Sequence, residues 1–142
     1  MLYTSTRGTK GLVTSAFAIQ KGLADDGGLY LPVHIPVLSR EEILNLCQVN
    51  YSDRALKILS FFLTDFNESE LNLALAQAYN GDKFKQGPAP LHIVNNQTGI
   101  LELWHGPTAA FKDVALQLLP QLLPLTLLVA HAQKFGENIF AK

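Results

Sequence analysis

Trp104-His105-Gly106-Pro107-Thr108-Ala109-Ala110-Phe111-Lys112-Asp113 is the stretch on which the fold turns. One lysine stands in it among small and apolar residues, after a Gly-Pro turn and just before an apolar run that starts at Val114. A solvated surface lysine requires no such company. Burial disfavours an ammonium ion, and the positive end of a helix dipole adds to that effect. A lysine shielded at a helix start is therefore poised to react as a neutral amine, which adds to aldehydes to form a Schiff base. The plain alternative is a lysine whose stem lies along an apolar surface while its charge stays in water. Spacing alone leaves both open, and Asp113 favours the ammonium if its carboxylate faces the amine.

Downstream, the spacing predicts a helix over about 111–119, and residues 125–130 have the composition of a buried strand. Upstream, residues 91–94 and 100–103 read as short strands joined by the polar loop Asn95-Asn96-Gln97-Thr98-Gly99. Gly87-Pro88-Ala89-Pro90 marks a change of character, because everything before it reads as mainly helical. Leu12, Ala16, Ile19 and Leu23 recur at helical spacing around 14–24, and Asp25-Asp26-Gly27-Gly28 ends that helix. Leu29-Tyr30-Leu31 is a short extended piece. Ser39 with Glu42 forms a capping box for a helix with the apolar face Ile43, Leu46 and Cys47. Ser52 is read as the cap of a third helix bearing Leu56, Leu59 and Phe62 or Leu63. Asn67 with Glu70 caps a fourth, with Leu71, Leu75 and Ala78 on one side and Gly81 past its end. These faces predict core packing. The expected fold class is α/β: a helical region over 1–86, then the opening strands and helix of a sheet over 87–142.

Composition narrows the partners. The chain has 142 residues, 48% of them hydrophobic and 16% charged, as expected of a folded domain with a real core. A formal net charge of -1 gives no reason to expect nucleic acid or an anionic membrane. Cys47 is the only cysteine, which excludes an intrachain disulfide and fits a cytoplasmic setting. Residues 1–10 lack the apolar segment of a secretory signal. The apolar stretch 114–130 is interrupted by Gln117, Pro120, Gln121 and Pro124 and falls short of the ~20 residues that span a bilayer, so core is expected there.

Several chemistries lack a signature. His34, His92, His105 and His131 are far apart and have no second cysteine near them, so no metal site is expected. There is no G-x-S-x-G, P-loop or G-x-G-x-x-G, and Cys47 reads as an inert core thiol. Asp25-Asp26 and Glu41-Glu42 read as solvated groups beside turns and caps. Lys112 is left as the candidate reactive group, and pyridoxal phosphate is the most frequent partner of an imine-forming lysine.

The run Glu102-Leu103-Trp104-His105-Gly106-Pro107-Thr108-Ala109-Ala110-Phe111-Lys112-Asp113-Val114-Ala115-Leu116 resembles the cofactor-lysine motif of the threonine synthase family. Its core, Thr108-x-Ala110-Phe111-Lys112-Asp113-x-Ala115, is also similar to the attachment site of serine/threonine dehydratases, but His105-Gly106-Pro107-Thr108 points to threonine synthases. A second block agrees: Tyr3-Thr4-Ser5-Thr6-Arg7-Gly8, followed by Lys21-Gly22-Leu23-Ala24-x-Asp26-Gly27-Gly28-Leu29-Tyr30-Leu31-Pro32. The resemblance covers residues 1 to about 119. It implies a pyridoxal-phosphate enzyme of fold type II that converts O-phospho-L-homoserine and water into L-threonine and phosphate. In it, Lys112 would hold the cofactor as a Schiff base and then move protons, with Phe111, Thr108 and His105 as candidate cofactor contacts.

The match also has gaps. The family places a Ser-Gly-Asp-Thr-Gly phosphate loop after the strand that follows the lysine helix. Here His131-Ala132-Gln133-Lys134-Phe135-Gly136 follows the candidate strand, unless the chain stops short of the loop and Pro120 and Pro124 mark an unusual lysine helix. Trp104 replaces the more usual Phe. A phosphate dianion needs several convergent donors. The chain alone is therefore expected to be inactive, with an exposed apolar edge prone to self-association. The alternative is a degenerate, non-catalytic module that binds a protein partner through that edge.

Overall fold

The computed structural model describes residues 1–8 and 11–140, with side chains described as far as His131. In chain order the elements are β1 (Tyr3–Ser5), α1 (Ser15–Lys21), β2 (Tyr30–Pro32), α2 (Arg40–Gln48), α3 (Tyr51–Phe62), α4 (Glu68–Ala78), β3 (Leu91–Asn95), β4 (Thr98–Leu101) and α5 (Asp113–Phe140). The strands form two separate antiparallel pairs, β1 with β2 and β3 with β4.

The Asp26-Gly27-Gly28 turn locks the first pair. Asp26 accepts hydrogen bonds from the Ser5 hydroxyl at 2.7 and 2.8 Å and from the Gly28 N–H at 2.9 Å. Gly27 has φ 76°, a left-handed conformation that costs glycine little. At Gly28 a Cβ would lie 2.2 Å from the Ser5 oxygen, so no larger residue fits beside the closed Ser5–Asp26 pair. β2 then meets β1 with Thr4 opposite Leu31. β1 itself was not among the strands expected from sequence.

The core lies between α1, α3, α4 and α5. Leu71, Ala74, Leu75 and Ala78 on α4 recur at three- and four-residue spacing and are buried against Ala16 of α1 and Leu118 and Leu122 of α5. α3 adds the partly buried Ala55, Leu56, Leu59 and Phe62, and Leu63 and Phe66 close the corner before α4. Asp65 caps α1 from that corner: its carboxylate accepts from the Ser15 hydroxyl and, at 2.7 Å, from the Ala16 N–H. The Tyr3 hydroxyl donates to the Phe62 carbonyl at 3.0 Å and ties β1 to the end of α3.

Several local expectations are corrected. α1 spans Ser15–Lys21 and leaves Leu12 and Leu23 exposed outside it. α3 is capped by Asn50, which accepts from the Asp53 N–H at 3.0 Å, and not by Ser52. α4 ends at Ala78 with Tyr79 as its cap and Gly81 past its end, as expected, and the Tyr79 ring packs edge-on against Tyr51 and tilted against Phe84. α2 has the expected capping box but buries none of its residues, and Cys47 is exposed rather than a core thiol. Arg54 anchors α2 from α3, donating to the carbonyls of Leu46 at 2.8 Å and Val49 at 3.0 Å.

The largest correction is α5. No strand forms over 125–130, and no loop follows it; one helix continues through both regions with Pro120 and Pro124 inside. Both prolines lie on the exposed side, so the helix loses ladder bonds there without trapping buried carbonyls. Leu118, Leu122 and Thr126 form the buried stripe, four residues apart, and the Thr126 hydroxyl donates to the Leu123 carbonyl at 2.7 Å. The Tyr79 hydroxyl donates to the Val114 carbonyl at 2.9 Å. Burial, with Tyr51 beside it, pushes the pKa of that hydroxyl upward, so it stays a donor. Asp113–His131 is long and apolar enough to cross a membrane by length and composition; Leu118 and Leu122 join the core, while most of this stretch is not buried. Leu116, Leu119, Leu123 and Leu127 form a second, exposed stripe.

Candidate active site

The β3–β4 hairpin delivers the chain to the site. Its turn is set by Asn95, whose side chain accepts from the Gln97 N–H at 2.9 Å, and a register shift falls between Ile93 and Asn95. The Glu102 N–H donates to the Pro90 carbonyl at 2.9 Å and closes the hairpin base. Glu102 also pairs with His105, with carboxylate oxygen and Nε2 2.6 Å apart. That contact fixes His105, whose ring tilts against Trp104 with centroids 5.6 Å apart.

A tight turn follows, built around Asp113. This residue opens α5 and is 1% exposed. Its carboxylate accepts from the Thr108 N–H at 2.8 Å and from the Thr108 hydroxyl at 2.7 Å. Burial pushes the Asp113 carboxyl up, but the two bonds from Thr108, with help from the Ala110 backbone, outweigh burial and hold it below its usual range. Gly106 is required beneath it, since a Cβ there would lie 2.4 Å from the Asp113 Cβ. Ala109 has φ 56°, a left-handed conformation rare outside glycine. Lys112 is the residue before α5, and its carbonyl accepts from the N–H groups of Ala115 at 3.1 Å and Leu116 at 2.9 Å.

Lys112 thus stands at the start of the helix, where its spacing put it. The expected shielding is absent in this chain: Lys112 is exposed, and so is Phe111, at 72%. The physical reason is that none of the described residues covers this segment. All of β3 and β4 is exposed, Trp104 is 51% exposed, and the outer stripe of α5 is exposed as well. Of the candidate cofactor contacts, Phe111 lies next to Lys112 on this open surface, Thr108 spends its hydroxyl on Asp113, and His105 is held by Glu102. Asp113 faces Thr108, which answers the question the sequence left about its direction. The sequence reading missed Asp113 as the organiser of the turn. Its signal was the set Gly106, Thr108 and Asp113: a space, a double donor and a double acceptor. Among the described residues no three His, Cys, Asp or Glu side chains converge as metal ligands do.

Comparison with known proteins agrees with this architecture, a helical region followed by a hairpin and a helix opened by lysine and aspartate. The chain superposes on the pyridoxal phosphate-bound threonine synthase from Brucella melitensis with a TM-score of 0.82 and 37% identity, over 94% of this chain and 28% of that one. It is thus the fold of the N-terminal part of the solved threonine synthases. Residues 2–79 match the family described as "Threonine synthase N terminus", and the chain belongs to that family. It is 38% identical to the threonine synthase of Pseudomonas aeruginosa over 87% of this chain and 26% of that protein. Against threonine synthase-like 2 of Rattus norvegicus it is 35% identical over 87% of this chain and 26% of that one. The chain spans about a quarter of the length of the curated relatives it matches.

Proposed function

We propose that this chain is the N-terminal portion of a threonine synthase that converts O-phospho-L-homoserine and water into L-threonine and phosphate with pyridoxal phosphate, and that Lys112 is the cofactor lysine. The observation that carries this reading is Lys112 itself: one amine at the start of α5, beside a clasped turn, exposed next to the exposed ring of Phe111. The match covers 26% of the length of the Pseudomonas aeruginosa relative, and the remainder of such a protein would supply that cover. Enclosure would then give the amine the dry surroundings its chemistry requires.

The residues present fit one end of the cofactor. Lys112 offers the amine for its aldehyde, and Phe111 offers an apolar surface for its ring. They do not fit the phosphate end, because α5 continues through residues 131–136, where a glycine-rich donor loop would have to lie. When bound, the cofactor supplies an electron sink for carbanions. Lys112, once free, is the group that moves protons at the substrate carbons. The chain alone is proposed to be inactive, and α5 to be an interior helix of the larger protein.

Incubating the chain with pyridoxal phosphate, reducing with borohydride and mapping the adduct by mass spectrometry tests the assignment. A pyridoxyl group concentrated on Lys112, without phosphate release from phosphohomoserine, is the expected result. Labelling spread over the exposed lysines would count against a cofactor site. Turnover above background would refute the claim of inactivity. No adduct, with tight binding to a protein partner, would favour the non-catalytic module.

A further inference from the structure

We infer that Asp113 is a positioning residue for Lys112: its buried carboxylate grips Thr108 over Gly106 and fixes the turn from which the lysine projects. This rests on the reading of Lys112 as the cofactor lysine. The local caps of α2, α3 and α4 show why Asp113 is unusual; α1 is a separate case, capped from another element by the half-buried Asp65. Ser39 with Glu42, Asn50 with Asp53, and Asn67 with Glu70 all join residues three apart at exposed helix ends. Asp113 reaches back five residues and is buried. A buried carboxylate is costly unless its oxygens are satisfied, and here both are engaged by Thr108. Stabilising a helix end does not require that cost.

The closed ring runs through Lys112. Thr108 is held by the carboxylate at one end, and Asp113 donates its own N–H to the Ala110 carbonyl at 3.0 Å. Ala109 keeps its left-handed backbone because the closure leaves it no other path. On the far side, the Lys112 carbonyl is tied into the first turn of α5. The lysine side chain is exposed, so the backbone around it sets where the amine starts. Asp113 acts on Lys112 through Thr108 and the turn.

Competitive trace labelling of amines in the full 142-residue chain tests this without cofactor. The measurement is the labelling of Lys112 relative to exposed Lys57 and Lys85 as a function of pH, with circular dichroism confirming that each variant is folded. Asp113→Ala and Thr108→Val are expected to change that ratio by about threefold or more and to displace the Lys112 pH profile, since small misplacements alter reactivity strongly. Thr108→Ser keeps both donors and is expected to match the parent chain. If Asp113→Ala does not fold, Thr108→Val at an exposed position gives the answer. An unchanged ratio and profile in folded Thr108→Val would overturn the proposal. Borohydride trapping with pyridoxal phosphate separately tests the cofactor reading. A parent chain that labels elsewhere refutes that reading, while trace labelling still decides whether the clasp governs Lys112.

Discussion

Asp113 shows how one side chain gives several neighbours their identity. Gly106 is there because a Cβ would strike Asp113, and Thr108 because it supplies two donors to one carboxylate. The run His105 to Asp113 was legible as a motif in the sequence, but its internal logic was not, because the grip depends on a left-handed Ala109 that no periodicity reveals. The same carboxylate makes a prediction about acid. Its folded form titrates below the ordinary range, so it adds stability that is fully present above the unfolded value of about 4 and is lost as pH falls through the folded value. Asp113→Asn lacks that titration and gives up part of the hydrogen bonding. In urea melts taken across the acid range, the parent chain's advantage over Asp113→Asn is expected to be largest above about pH 4 and to shrink below it. A constant difference across that range would exclude the linkage.

Among the elements, the caps were the most readable. The reciprocal bonds of Ser39 with Glu42 and Asn67 with Glu70 are present as the sequence suggested, because a capping box is complete within four residues. The hairpin was also legible to within a few residues, since Asn95 to Gly99 carries its own turn chemistry. β1 was not, because its partner β2 lies far along the chain and three residues carry no period. α5 was misread for a related reason: a short apolar run fits a buried strand or a helix flanked on two sides, and periodicity does not separate them. The alternative, that Pro120 and Pro124 mark an unusual lysine helix, matches α5, and on its exposed side Pro120 removes only one ladder bond. Pro120→Ala restores that donor and is expected to stabilise the chain by about 1–3 kcal/mol. Thermal unfolding measures it, and a lower midpoint would show that the proline is adapted to a bend.

At the scale of the whole molecule, the described residues form one core and leave many large apolar side chains exposed. Reading apolar faces as buried faces worked where a partner element exists, as for Leu71 and Leu75 on α4. It failed for Ile43 and Cys47 on α2 and for the surroundings of Lys112, because the described residues leave them exposed. Amphipathic spacing shows which side of an element avoids water and does not show whether the covering element is present. The candidate site was therefore legible in its residues and not in its exposure.

The grip of Arg54 on α2 leads to a different consequence. Arg54 holds that helix through two carbonyl contacts, and none of its side chains is fully buried. Its detachment should therefore cost far less than global unfolding and leave the α4-centred core standing. A protease present in trace amounts is expected to nick first within Arg40–Gln48, and faster in Arg54→Ala, before any loss of ellipticity from the other helices. First cleavage within α4 would mean that the molecule opens as a single cooperative unit.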